Sequence, residues 1–306
     1  MVNDLIIARS CIINIMKKRV LVTFVFVLLF AFSVCLVLIS FKERERNLEV
    51  SFLNIGQGDA IFIEAPNGAN ALIDAGPGRE VLGELGAVMM PFDKKIDIAM
   101  ITNPDKDHIE GFVSVFDRYD VEKVFYPGTQ NPTPTSAAVE EKIKSEGAEK
   151  ILARRGQRIV LDPEEGVYID ILFPDKDVSG LSSNDGSIVA KLVYGKTSVL
   201  LQGDATAQVE RHLVQIESVS NELSGTILKT GHHGSRTSTT PQYVEAVHPE
   251  FAVISCGKNN RYGHPHKEVL DTLQKAGVPV LRTDLEGRIT FISDGEKMWR
   301  KESFFK

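Results

Sequence analysis

Four short stretches of this chain gather the residue types that hold metal ions and move protons. The first is Thr102-Asn103-Pro104-Asp105-Lys106-Asp107-His108. In a tight turn the alternate residues Asn103, Asp105 and Asp107 could point one way, with His108 opening the helix that follows. Amide oxygen, carboxylates and imidazole would then converge on one cation. The plainer reading is an Asp-rich turn in which Asp107 caps a helix. The second stretch, Leu201-Gln202-Gly203-Asp204, ends an apolar strand on an aspartate, and helix capping competes with metal binding there too. The third is Gly231-His232-His233-Gly234-Ser235. Packing explains adjacent histidines between glycines poorly. Glycine lets a backbone bend close to a ligand, and imidazole is the commonest neutral metal donor.

The fourth stretch runs Gly257-Lys258-Asn259-Asn260-Arg261-Tyr262-Gly263-His264-Pro265-His266. Lys229 and Arg236 flank the histidine pair, and Lys267 follows the last loop. Neither 229–244 nor 257–267 contains an acidic residue. These bases predict a cationic rim for an anionic substrate beside a carboxylate-rich metal centre.

The elements that must position these residues are short and alternate. From Leu48, three strands (48–56, 59–65, 70–75) separated by turn residues predict an antiparallel meander. A helix over 79–90, a buried strand at 96–102 and a helix from His108 to Tyr119 come next. A strand at 121–127 then leads to a helix over 136–147 that ends on a glycine C-cap. Strands are read at 151–155, 157–161, 167–173, 187–195 and 197–204, then a helix at 205–217. The remainder alternates strand and helix: 225–231, 241–247, 251–257, 266–277, 279–283 and 288–293. All four polar stretches fall at strand ends, where α/β folds assemble sites from distant segments. A meander followed by βα alternation predicts an α/β domain of two sheets sandwiched between helices.

Composition agrees with a folded body. The chain has 306 residues, 43% hydrophobic and 25% charged, which excludes a disordered or collagen-like protein. Residues 1–47 hold seven basic and three acidic residues, a net of +4; the other 28 basic and 38 acidic residues leave −10. A body this acidic is not a bulk electrostatic binder of nucleic acid. Of three cysteines, Cys256 alone lies in the body, so no disulfide framework is expected there, and a buried, inert thiol is.

Residues 20–40 form an uncharged apolar run of the length that crosses a hydrocarbon core as a helix. No small-x-small cleavage site follows, and the residues before Cys35 make a poor lipobox. An uncleaved signal anchor is expected, with 1–19 cytoplasmic, 41–47 a linker and the body, 48–306, outside.

The ordered motifs TxPDxDHxxG, LxGDA, LKTGHHGSxTS and NNRYGHP, with the opening SFLNIGQGDAIFIEAPNG and LIDAG, resemble the metallo-β-lactamase superfamily. More narrowly they are similar to the soluble hydrolase domain of the DNA-uptake competence channel, ComEC. The resemblance covers about residues 49 to 292. It implies an αββα sandwich and a zinc- or manganese-dependent hydrolase with one or two ions. Asp107 and His108 match the signature's Asp-His, Asp204 its metal-bridging aspartate, and His232 or His233 its later histidine. Asp105 stands at the signature's second histidine, and Asn184 falls near another. Asn103 stands where the signature begins with histidine, and a neutral amide is a weak zinc donor. The resemblance thus implies a strong second site (Asp107, His108, Asp204 and one histidine of the pair). The first site (Asn103, Asp105, Asp204, Asn184) would be weakened, suited to manganese or magnesium or left empty.

The leading function is a membrane-anchored phosphodiesterase or nuclease. Asp107 and Asp204 would serve catalysis. His264, Lys258 and Arg261 would hold phosphate or protonate the leaving oxygen, with Ser235 and Asn260 as further substrate contacts. The acidic body favours a small or single-stranded anionic substrate. ComEC itself has many membrane spans, so a separate channel is a conceivable partner. A carbonyl-ester hydrolase or lactamase on the same fold, and a non-catalytic binding protein with a degenerate site, are the alternatives.

Overall fold

The computed structural model describes residues 2–44, 47–217 and 223–302. The chain divides into two units, Met1–Arg46 and Asn47–Lys306. The first is a single helix, α1 (Val2–Arg44). It runs unbroken through most of the segment expected to be a linker, and Met16–Val37 within it is long and apolar enough to cross a membrane. Every side chain of that stretch is exposed, and from Val20 to Val37 only Thr23 and Ser33 are polar, a composition that could cross a membrane.

The second unit opens with the expected meander: β1 (Leu48–Phe52), β2 (Ile61–Glu64) and β3 (Asn70–Ile73) pair antiparallel. After α2 (Glu80–Val88), the chain runs through β4 (Lys95–Met100), α3 (Lys106–Phe116), β5 (Asp120–Tyr126), α4 (Pro134–Glu146) and β6 (Glu149–Leu152). Strands β3 to β6 pair parallel. Gly147 ends α4 in the left-handed region, as the sequence predicts.

The second sheet begins with β7 (Arg158–Asp162), β8 (Val167–Phe173), β9 (Val189–Tyr194) and β10 (Thr197–Leu201), all antiparallel. It continues in parallel through β11 (Ile227–Lys229), β12 (Phe251–Ile254) and β13 (Val280–Arg282). Between these strands lie α5 (Ala207–Glu217), α6 (Pro241–Val247) and α7 (Lys267–Lys275). After α8 (Thr283–Glu286) the chain returns to the first sheet as β14 (Ile289–Ser293), which pairs antiparallel with β1, and β15 (Met298–Arg300). The sequence reading gave no strand at β15.

Alternation along the strands builds three cores. Val50, Phe52, Ile61 and Ile63 meet Ile169, Ile171, Val199 and Leu201 between the sheets. Phe62 and Leu72 turn outward to α2, α3 and α4, which contribute Leu85, Phe112 and Ile143. Leu200 and Leu228 face Leu213, Tyr243 and Leu273 of α5, α6 and α7. Each such side chain contributes roughly 1.5–3 kcal/mol of burial. The result is an αββα sandwich, and its layering leaves the loops after β3, β4, β10, β11 and β12 to form the site.

Candidate metal centre

Four side chains from three of these loops converge. Asp107 and His108 lie in the first turn of α3, whose N-cap is Asp105 and not Asp107. The capping explanation of Asp107 is therefore replaced by one in which the helix start aims two donors inward. Asp204 follows β10 but stands three residues ahead of α5, so it caps nothing. His232 and His233 follow β11 in a short 3-10 turn, both with positive φ (47° and 55°). Such strain in two non-glycine residues costs of order 1–3 kcal/mol each and is typical of functional sites. The bracketing glycine is required: Gly234 has φ +78°, and a Cβ there would lie 2.7 Å from Pro265.

His233 is the histidine of the pair that enters the centre. Its Nε2 lies 3.4 Å from Asp107 Oδ2 and 3.6 Å from Asp204 Oδ1. His108 Nε2 approaches Asp204 Oδ2 at 3.1 Å, off the line a hydrogen bond requires. His232 stays at the rim, half-buried, with Nε2 3.8 Å from Asp204 Oδ2 and Nδ1 bonded to Thr237 Oγ1 at 3.0 Å.

Both inner imidazoles are oriented from behind by carboxylates that the sequence reading assigned no role. His108 Nδ1 meets Asp74 Oδ2 at 2.8 Å, and Asp74 Oδ1 accepts from the Thr102 backbone N–H. His233 Nδ1 lies 3.2 Å from both Asp59 Oδ1 and the Ser255 carbonyl. Asp59 is fixed in turn by the fully buried Lys229, Nζ to Oδ2 2.7 Å. A carboxylate behind each histidine fixes its tautomer and frees Nε2 for an ion. The available signal was an aspartate breaking an apolar run, as in Gly58-Asp59-Ala60 and Ile73-Asp74-Ala75.

The electrostatics are those of a cation site. Burial opposes charge on the imidazoles, yet Asp204 and Asp74 raise His108 well above its usual range. Likewise Asp204 and Asp59 outweigh burial to bring His233 to about 10. Against the same burial, His108 and His233 hold Asp204 far below the carboxylate range, and Lys229 and His233 lower Asp59 to about 2. Protons on two imidazoles thus stand in for the charge of a divalent ion. The residues fit such an ion: His108 Nε2, His233 Nε2 and Asp204 Oδ1 are buried with no hydrogen-bond partner among the described residues. With Asp107, two imidazoles and two carboxylates suit zinc or manganese.

The sequence profile of the metallo-beta-lactamase superfamily matches residues 53–258. The chain belongs to that superfamily, whose members are generally metal-dependent hydrolases. It is 32% identical over 262 residues to ComE operon protein 3 of Bacillus subtilis, across 79% of this chain and 33% of that one. It is 28% identical over 248 residues to competence protein ComA of Neisseria gonorrhoeae, across 81% of this chain and 32% of that one. Both are ComEC-type competence proteins, and this chain spans about a third of their length. Among solved structures, the metallo-beta-lactamase fold protein YhfI from Bacillus subtilis superposes with TM-score 0.54 at 13% identity. That match covers 81% of this chain and all of YhfI. CmlA, a diiron β-hydroxylase from Streptomyces venezuelae, gives 0.52 at 13% identity over 83% of this chain and 54% of that one. At such identities both matches speak to the fold alone.

Within this metallo-β-lactamase fold, the other predicted site residues separate into two groups. A cleft of about 430 Å³ next to the centre is lined by Gln57, Lys106, Asp107, Asn260, Arg261 and Tyr262, among others. Arg261 donates to the Tyr262 hydroxyl at 2.7 Å, and Lys258 is exposed on the same loop. Asn260 spends its side chain on the loop itself, donating to the Gly257 and His264 carbonyls and accepting from the Tyr262 and His264 N–H groups. His264 stacks on Tyr262, and burial together with His233 and His232 lowers it to about 4, so it is neutral at pH 7. Ser235 is buried, its hydroxyl closing a turn onto Thr237. Asn103, Asp105 and Asn184 lie together to one side, bonded among themselves and to neighbouring loops.

The cationic rim is smaller than the sequence predicts. Lys229 does not belong to it, being wholly inside and paired with Asp59. Arg236 faces Glu268 and Lys267 pairs with Asp271, acids beyond the local run that reading along the chain does not place. Cys256 is buried and, chiefly by burial, pushed up to about 12, an inert thiol as expected.

Proposed function

We propose that the protein is a membrane-anchored, metal-dependent hydrolase of phosphodiesters, of the nuclease type. The observation that supports this best is the convergence of unpartnered His108 Nε2, His233 Nε2 and Asp204 Oδ1 beside a cleft carrying Lys106 and Arg261. Asp107, His108, Asp204 and His233 would hold a divalent ion, which would supply Lewis acidity and make a water acidic enough to react near neutral pH. Asp204, buried at the centre with its Oδ1 unpartnered, would orient the attacking water. Arg261, Lys106 and Lys258 hold a non-bridging phosphate oxygen. His264 donates a hydrogen bond as a neutral imidazole, so its part is to position the substrate. The exposed Tyr262 ring, which His264 and Arg261 already approach, offers a contact for an unpaired base or another flat group, and the −10 body disfavours long duplexes. Met16–Val37 is the proposed anchor, with the body outside the cytoplasm. A separate membrane channel is the proposed partner.

The test is metal content and turnover of the full chain in detergent, with zinc or manganese and bis(p-nitrophenyl) phosphate. Asp204→Ala should abolish both binding and turnover. Arg261→Ala with Lys258→Ala should raise KM about 10- to 100-fold, the value of a charge-assisted hydrogen bond. Turnover without metal, or a KM unmoved in that double variant, refutes the reading.

A further inference from the structure

We infer that the centre holds one ion, and that the other half of the two-metal constellation has become a metal-free staple joining three loops. The inference rests on the metal-dependent reading above and concerns residues that reading does not use.

Among the described residues the two halves differ in how their polar atoms are satisfied. In the half that would hold the ion, three buried donor atoms have no hydrogen-bond partner. In the other half the three residues particular to it, Asn103, Asp105 and Asn184, are hydrogen-bonded to one another or to neighbouring loops. Asn103, fully buried, donates its Nδ2 to Asn184 Oδ1 at 2.7 Å and accepts the Asp105 backbone N–H on Oδ1 at 2.9 Å. Asp105 accepts from Asn131 Nδ2 at 2.6 Å on one oxygen and from Ser183 Oγ at 2.9 Å on the other. An ion there would compete with these four bonds for the same oxygens, and beside the Asp105 carboxylate it would gain only weak amide donors. An amide nitrogen offers it nothing, since its lone pair is delocalised into the carbonyl.

The bonds cross the fold. Asn103 and Asp105 follow β4, Asn131 follows β5, and Ser183 and Asn184 lie between β8 and β9. The last loop is tied further by Ile188 N–H to the Thr102 carbonyl at 2.9 Å and Ser187 Oγ to the same carbonyl at 3.2 Å. In a two-metal centre an ion would draw the loops after β4 and β8 together. Here the Asn103–Asn184 and Asp105–Ser183 contacts do so, and Asp105 gathers the loop after β5 as well.

The experiment uses the full chain in detergent, stripped with chelator and titrated separately with zinc and manganese. Stoichiometry is read by calorimetry and elemental analysis, and loop order by hydrogen exchange. One ion per chain is expected. Asp105→Ala should still bind one ion while exchange in 128–133 and 180–186 speeds at least tenfold. Asn131→Ala, a milder change, should do the same to the first loop alone. Two tightly held ions in the unaltered protein, a fall in stoichiometry on Asp105→Ala, or unchanged exchange in Asn131→Ala overturns the inference. Binding of no ion at all would instead remove the metal-dependent reading beneath it.

Discussion

Asp74 and Asp59 reach the metal only through histidines, and that makes their roles measurable. Asp74→Ala should weaken metal affinity about 10- to 100-fold by freeing the His108 ring. A competition titration checks this, and unchanged affinity would show that packing alone orients the ring. The same histidines give the metal-free protein an unusual pH dependence. His233 is raised to about 10 from an ordinary 6.5, and His108 is raised too. A group raised on folding stabilises fully below its unfolded pKa, and that stability is lost as pH climbs through the folded value. Chelated protein should therefore lose Tm between about pH 6.5 and 10. Metal-loaded protein, with imidazoles already neutral, should hold its Tm across that window in calorimetry. At this scale the sequence reveals donors but not their supports. Asp107, His108, Asp204 and His233 stand out as polar clusters at strand ends. Asp59 and Lys229 lie 170 positions apart, and no local pattern pairs them.

Elements carry the donors, so their packing limits what the centre tolerates. A Cβ on Gly111 of α3 would sit 2.0 Å from the Ala75 carbonyl oxygen, where α3 presses on the end of β3. Gly111→Ala should cost about 1–3 kcal/mol by forcing that helix outward, and should weaken metal binding because Asp107 and His108 move with it. Gly83 of α2 is exposed, with nothing within 4 Å of such a Cβ. Gly83→Ala should stabilise by about 0.5–1 kcal/mol, by relieving backbone entropy. Denaturant midpoints of the two variants should move in opposite directions, and a shared direction would refute the packing account. Most strands were legible because apolar alternation and turn residues are local signals. The pairing of β1 with β14 was not, since nothing in either strand names its neighbour. β15 was missed because three residues, two of them exposed, carry no period.

Over the whole molecule, the N-terminal helix and the body are separate units. Residues 47–306 alone should keep the metal stoichiometry and Tm of the full chain while leaving the membrane fraction; loss of the fold would show that α1 is structurally required. Orientation was the least legible property, because three basic residues flank each side of the apolar run. Labelling of single cysteines placed in the body decides it. The β1–β14 pairing also sets a timetable. Leu48 pairs with Ser293, 245 positions later. At synthesis rates of about 5–20 residues per second the partner strand follows after roughly 12–50 s. Throughout that interval the nascent meander presents an unpaired edge of five residues that could recruit a stranger's strand. The exposed edge is thus a hazard confined to synthesis, one that the finished sheet, with β14 seated on β1, conceals.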